Sequence, residues 1–140
     1  MNKSLEKVQA ALAGYTVDGQ VLFNVTSTNT DEVSMLTVIR EDIEEFAILV
    51  TASETQLLFN VALFDRAQVL DQQLASLNEM MLTLNIAMPL SSFALTGGIY
   101  SIFGAMSVNS EASQIQEEVL VLSENIMDAL EVCQQFLIKA

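Results

Sequence analysis

Four pairs of adjacent carboxylates are the densest chemistry in this 140-residue sequence: Asp31-Glu32, Glu41-Asp42, Glu44-Glu45 and Glu117-Glu118. Two carboxyl groups can divide general acid and base work when burial drives their pKa values apart. These pairs fall in polar connectors or on the charged side of a helix, where no such separation is expected. The sequence has no histidine, which removes Ser-His-Asp and Cys-His nucleophile arrangements and the commonest metal ligand together. The one cysteine, Cys133, lies on an apolar helical stripe and reads as a buried structural thiol. "TGG" at 96–98 matches neither the dinucleotide nor the P-loop glycine pattern, so no phosphate cradle is offered. No catalytic residue, metal ligand or cofactor is expected.

Charge narrows the partners further. Eighteen acidic residues against five basic ones give a net charge of -13, and Lys3, Lys7, Arg40, Arg66 and Lys139 are scattered. Nucleic acids and anionic membrane surfaces are both bound by clustered cations, so neither partner is expected. The acidity suits solubility for a chain that is 51% hydrophobic and is compatible with a basic protein partner. Charges at Lys3, Glu6 and Lys7 interrupt the apolar region that a signal peptide needs, and a single cysteine forms no internal disulfide, so a cytoplasmic location is expected.

Residues 80–110, "MMLTLNIAMPLSSFALTGGIYSIFGAMSVNS", carry no charge at all. A transmembrane helix needs about twenty predominantly apolar residues in a row, whereas the apolar runs here are short and broken by Thr83, Asn85, Pro89, Ser91, Ser92, Thr96, Gly97 and Gly98. No membrane insertion is expected. Apolar, aromatic-containing runs flank Gly97-Gly98, a dipeptide suited to a two-residue hairpin turn. The stretch therefore predicts a helix end near Pro89 followed by a hairpin of strands at about 91–96 and 99–106.

The other elements follow from periodicity. Leu5, Val8 and Leu12 mark a short first helix ended by Gly14. Between 15 and 64 the period becomes two: "GQVLFNVTS", "VSMLTVIR", "EFAILVTA" and "TQLLFNVALF" read as four strands joined by polar segments at 28–32, 41–44 and 53–54, hence an antiparallel meander. Both alternating sets of the third and fourth strands are partly apolar, which predicts strands covered on both faces. A helix over 67–85 presents Leu70, Leu74, Leu77, Met81 and Leu84 as one stripe.

The last helix is the longest, over 109–140, with Ser110 as its expected N-cap. Ile115, Val119, Leu122, Ile126, Leu130, Cys133 and Leu137 form its core stripe. A second apolar line, Leu120, Met127, Val132 and Phe136, widens the band and is the candidate interaction surface. Together the elements predict one α+β domain spanning 1–140: an antiparallel sheet of about six strands with three helices, in the order α-β-β-β-β-α-β-β-α.

"SLNEMMLTLNIAMPLSSFAL" followed by "YSIFGAMS", with the earlier "VTASETQLLFNVALF", resembles the YjfI-like family of small bacterial proteins of unknown function. The likeness covers most of the chain, and "LNIAMPLS" at 84–91 is its most specific part. The resemblance implies an accessory role beside phage-shock-type membrane-stress systems, and it carries no catalytic residues. Separately, the element order and acidity are similar to the secretion-chaperone fold, whose members are small acidic homodimers that bind partner polypeptides; this is an analogy of fold.

Three functions follow in order of support. The first is a non-enzymatic, chaperone-like accessory protein that binds a protein partner through apolar helix or sheet surface, as a homodimer burying the last helix or the sheet face away from the helices. The second is a binding module for a small apolar ligand held between sheet and helix. The third is a carboxylate-dependent enzyme, which would require two acids buried in one cleft.

Overall fold

The computed structural model describes residues 2–139. Its elements are α1 (Lys3–Leu12), β1 (Thr16–Val17), β2 (Gln20–Val21), β3 (Phe23–Asn29), β4 (Ser34–Arg40), β5 (Ile48–Ala52), β6 (Gln56–Asp65), α2 (Leu74–Ala87), β7 (Ser92–Thr96), β8 (Ile99–Ser107) and α3 (Ala112–Cys133). Six strands form one antiparallel sheet in the order β3-β4-β5-β6-β8-β7. The meander and the late hairpin are therefore halves of a single sheet, joined where β8 pairs along the whole of β6. Three helices and six antiparallel sheet strands in the expected order make this an α+β fold.

All three helices lie on one face. α1 packs over β3, β4 and β5, α3 over β6 and β8, and α2 over β7, with α1 and α3 also side by side. Paired residues of adjacent strands share a face, and the register puts Leu36, Val38, Ile48, Val50, Leu57, Phe59, Val61 and Ile102 on the helix side, all fully buried. Leu5, Val8 and Leu12 of α1 and Ile115, Val119, Leu122 and Ile126 of α3 close the layer above them.

The opposite face is bare, which corrects the expectation of strands covered on both sides. Leu49 and Ala62 are exposed and Leu58 half-buried, although their alternates on the same strands are inaccessible. Phe64 is buried because a register shift between Ala62 and Phe64 returns it to the helix side beside Tyr100.

Turn chemistry sets the connections. Gly97 and Gly98 have φ of 57° and 80° and form the β7–β8 turn, the mirror-image geometry that matches strand twist. Asp18 and Gly19 do the same at φ 52° and 80°, making β1 and β2 a small separate hairpin. The first strand is consequently not continuous from 19 to 27 but starts at Phe23; the Asp-Gly dipeptide was the available signal.

Two helices are shorter than their periodicity suggests. Residues 66–68 and 71–73 are 3-10 turns ahead of α2. α3 starts after Glu111, whose N–H is bonded by Gln114 Oε1 at 2.7 Å, so the cap lies one residue beyond Ser110. It ends at Cys133, and the chain turns back through 134–136 so that Leu70 N–H meets Phe136 O at 3.0 Å and Leu137 bridges Val69. Of the 109–140 segment, Ala140 lies outside the described residues.

Replacing Gly97 and Gly98 together by valine forces two β-branched residues into positive φ, costing about 2–4 kcal/mol. The expected outcome is a clearly lowered thermal midpoint, checked by circular dichroism; an unchanged midpoint would remove the turn from the account.

Candidate functional site

Helix α2 has one charged residue, Glu79, in fourteen, and apolar side chains around its whole circumference. One side is used: Leu77 and Met81 are buried, and Asn78 accepts a 2.6 Å hydrogen bond from Tyr100 Oη. The other is not, for Ile86 is 94% and Leu82 70% exposed. A helix at the end of a layer has a neighbour on one flank only, and this one retains its apolar outer side.

The polar groups at its C-terminal end fix the following loop. Asn85 Oδ1 accepts from Phe93 N–H at 2.6 Å, tying α2 to the free edge of β7. Asn125 of α3 donates to Pro89 O at 2.9 Å and to Ser91 Oγ at 3.0 Å. Between these two anchors Leu90 takes a positive φ of 60° and is 51% exposed. A leucine in the left-handed region costs about 1–2 kcal/mol, which the flanking bonds offset.

Two shallow crevices meet at Phe93 beside this helix. One, of about 230 Å³, runs between α2 and β7 along Met81, Leu82, Leu95 and Tyr100. The other, of about 250 Å³, lies between the end of α2 and α3, along Leu84, Met88, Pro89, Ala129 and Val132. Leu82 and Ile86 stand exposed beside them on an outer side of α2 that also carries Ser76, Glu79 and Thr83, whereas Leu90 lines a separate crevice with Met106, Glu117 and Glu118.

The residues singled out from the sequence are dispersed. Val132 is exposed and lines the second crevice; Met127 is exposed one turn earlier on α3. Leu120 is half-buried against the core, and Phe136 is inside it at 8% exposure. The structure brings only Val132 to the α2 flank. Leu82, Ile86 and Leu90 were missed because an all-apolar helix gives no sign of which side its neighbours will cover.

One carboxylate also departs from expectation. Glu118 was placed on the solvated side of α3, yet it is 4% exposed. It points at Gly104 of β8, where an added Cβ would overlap the carboxyl group and also press on Leu90 O. The glycine is thus required by the close approach of the helix side chain. Burial, and next the charge of neighbouring Glu117, raises the Glu118 pKa from 4.5 to about 7. Glu117 itself is exposed, so the pair places one acid in the interior and not two in a cleft.

Cys133 is fully buried, and burial pushes its thiol up to about 11, as suits a structural residue. Among the described residues, no three His, Cys, Asp or Glu side chains are grouped to hold a metal ion. Among them, too, no helix is long and apolar enough to cross a membrane.

The chain belongs to a family of uncharacterised proteins conserved in bacteria (DUF2170), whose model matches residues 4–137. No curated protein matches the sequence. Solved structures that share the fold include two that cover nearly the whole chain. YbjN of E. coli, a putative transcription regulator, superposes with a TM-score of 0.64 at 14% identity, over 99% of this chain and 95% of its own. A chain of the ExsC-ExsE complex superposes with a TM-score of 0.58 at 16% identity, over 100% of this chain and 99% of its own. At such identities the likeness is one of architecture.

Glu118 gives a pH signature. Its pKa is raised on folding, so between 4.5 and about 7 the folded state holds the extra proton and stability falls as pH rises. At pH 8 the ionised, buried group costs up to about 3 kcal/mol. Glu118→Gln is therefore expected to raise the denaturation midpoint at pH 8, to change little at pH 5, and to flatten the slope between. Urea titrations at the two pH values check this, and parallel curves for both proteins would place the carboxyl in water.

Proposed function

We propose that this protein is a non-enzymatic, chaperone-like interaction module that acts as a two-fold homodimer and binds partner polypeptides. The observation that carries this is the outer side of α2, where Leu82 and the almost fully exposed Ile86 face water in a chain of net charge -13. Such a surface is costly in water unless a protein covers it. Charge repulsion between two copies is least where few charges stand, and the two crevices beside α2 have Asp128 as their one charged lining residue, with Glu79 exposed on the same helix.

Symmetry makes a second copy the economical cover, since one self-complementary patch then satisfies both chains. α2 is about 20 Å long, and with Leu95 and Val132 it offers exposed apolar side chains that a second copy can cover. The architectural likeness to a chain of the ExsC-ExsE complex supports a polypeptide-binding role. The narrower form of this reading, an accessory function beside phage-shock-type membrane-stress systems, rests on the resemblance to the YjfI-like family alone. A cytoplasmic location goes with it.

A small-ligand module is less well supported. Ligand pockets of drug size enclose about 300–1,000 Å³; the two crevices beside α2 are smaller than that, and the one of about 520 Å³ along Leu58, Ala94, Ile99 and Phe103 lies open on the bare sheet face and not between sheet and helix. Carboxylate catalysis would need a second buried acid beside Glu118, and its partner in sequence is exposed.

Sedimentation equilibrium at micromolar concentration tests the dimer. A mass near twice 15.3 kDa is expected, and Leu82→Glu with Ile86→Glu is expected to shift it to the monomer while the far-ultraviolet spectrum stays unchanged. A 15.3 kDa species that persists as concentration rises would sink the dimer. Phe136→Glu serves as the contrast: it buries a charge in the core and is expected to unfold the chain, by about 3 kcal/mol or more.

A further inference from the structure

The sheet has two edge strands, and the chain treats them differently. β7 is covered: α2 packs along it, and Asn85 bonds Phe93 N–H at 2.6 Å while its Nδ2 donates to Phe93 O at 3.4 Å. A side-chain amide thereby takes the place that a further strand would occupy. The hairpin register makes Thr96 and Ile99 a bonded pair across the two-residue turn, so only Phe93 and Leu95 aim their backbone groups outward, and the first is occupied.

β3 has no such cover. Its residues pair with β4 in a register that matches Phe23 to Arg40 and Asn29 to Ser34. Glu41 N–H bonds Leu22 O at 3.0 Å and Thr30 N–H bonds Val33 O at 2.8 Å, and both pairs continue that register. In an antiparallel ladder bonded and non-bonded pairs alternate, so the even-numbered residues of β3 bond β4. Val25, Ser27 and Asn29 then present three N–H and three C=O groups to the outside, whereas Phe23, buried and stacked on Tyr15, is covered.

Edge strands are ordinarily blunted by a lysine, a proline, a bulge or extreme shortness. β3 is seven residues long, reads "FNVTSTN", pairs without a register shift and has none of these. It is also uncharged, while acids stand at both of its ends. Asp31 and Glu32 follow it in the turn to β4. At the other end are Asp18 in the preceding hairpin and Glu41 and Asp42 beyond β4, where Arg40 is bound to Asp42 at 2.7 Å. The ends are about 20 Å apart.

We propose that the β3 edge receives an extended segment of a partner protein as a seventh strand, one whose centre is uncharged and β-prone and whose basic residues lie about seven positions apart. Main-chain bonds to Val25, Ser27 and Asn29 hold the segment, and the flanking acids select its charges. This deepens the polypeptide-binding role proposed above but uses a different surface, the edge farthest in the sheet from α2.

The probe is a fluorescein-labelled synthetic peptide, Lys-Lys-Thr-Val-Thr-Val-Thr-Lys-Lys, added to the full chain at low ionic strength. Saturable binding by anisotropy is expected, with amide exchange slowed at Val25, Ser27 and Asn29. The same peptide with its lysines replaced by glutamate is expected to bind about tenfold more weakly or worse, and one N-methylated at alternate residues not at all. Ser27→Pro removes an outward N–H while leaving the β4 ladder intact, so it is expected to keep the fold and lose the peptide.

Absence of saturable binding at millimolar peptide overturns the proposal, as does exchange protection confined to α2 or β7. Protection of β3 that grows with protein concentration in the absence of peptide also overturns it, because a second copy is then the occupant. The glutamate variant at Leu82 and Ile86 separates the two readings: its loss of dimer leaves peptide binding at β3 unaffected, and a failed peptide leaves the dimer standing.

Discussion

Three helices cannot cover a six-stranded sheet twice. Strands spaced about 4.8 Å apart make the sheet roughly 24 Å wide, and helices packed at 8–10 Å need about the same width for three abreast. The chain places α1, α3 and α2 in that order across one face and has no element left for the other. Much follows from this shortage. The core is a single layer between sheet and helices, the far sheet face is bare, and the helix at the end of the row has one flank with no neighbour.

Charge is distributed to fit. The open sheet face carries threonine, asparagine, serine and apolar side chains such as Leu49, Leu58 and Phe103, with Asp65 at a strand end where it caps the following turn through Ala67 N–H. Most of the acids behind the net charge of -13 sit instead on turns and on the outer side of α3, with Glu6 on α1 and Glu79 on α2. Long-range repulsion keeps copies apart everywhere except at the uncharged surfaces. The exception on the inside is Glu118, which packs against Gly104 at the α3–β8 contact without an ion pair among the described residues. Its raised pKa is the electrostatic counterpart of the glycine: both record that helix and strand come closer here than two ordinary side chains would allow.

The segment around Pro89 links these features. Asn125 on α3 holds Pro89 O and Ser91, Asn85 on α2 holds Phe93, and the two amides fix a left-handed Leu90 between them. Short, uncharged and rich in polar amides and hydroxyls, the stretch turns the chain from helix to edge strand without a buried charge. That explains how thirty-one consecutive residues go without a charged side chain: they include the end of an end-of-layer helix, an edge strand and the strand paired along β6.

Local chemistry made much of the architecture legible in the sequence. Period-two runs, the Gly97-Gly98 turn and the leucine stripes of α1 and α3 each depend on residues near one another in the chain, and they fixed the element order, the hairpin and most of the core. The missing histidines and scattered cations likewise bounded the chemistry without any structure. What the sequence could not say is which apolar side meets a neighbour. Leu49 and Val50, Leu82 and Met81, Glu117 and Glu118 are adjacent residues of similar type with opposite burial, and the difference lies in whether an element distant in sequence packs above them. Phe136 and Met127 looked alike on one helical line, but α3 stops at Cys133 and only the returning chain carries Phe136 inward. Tertiary packing alone made those choices, because a period defines a face and only a neighbour at packing distance decides whether that face is inside.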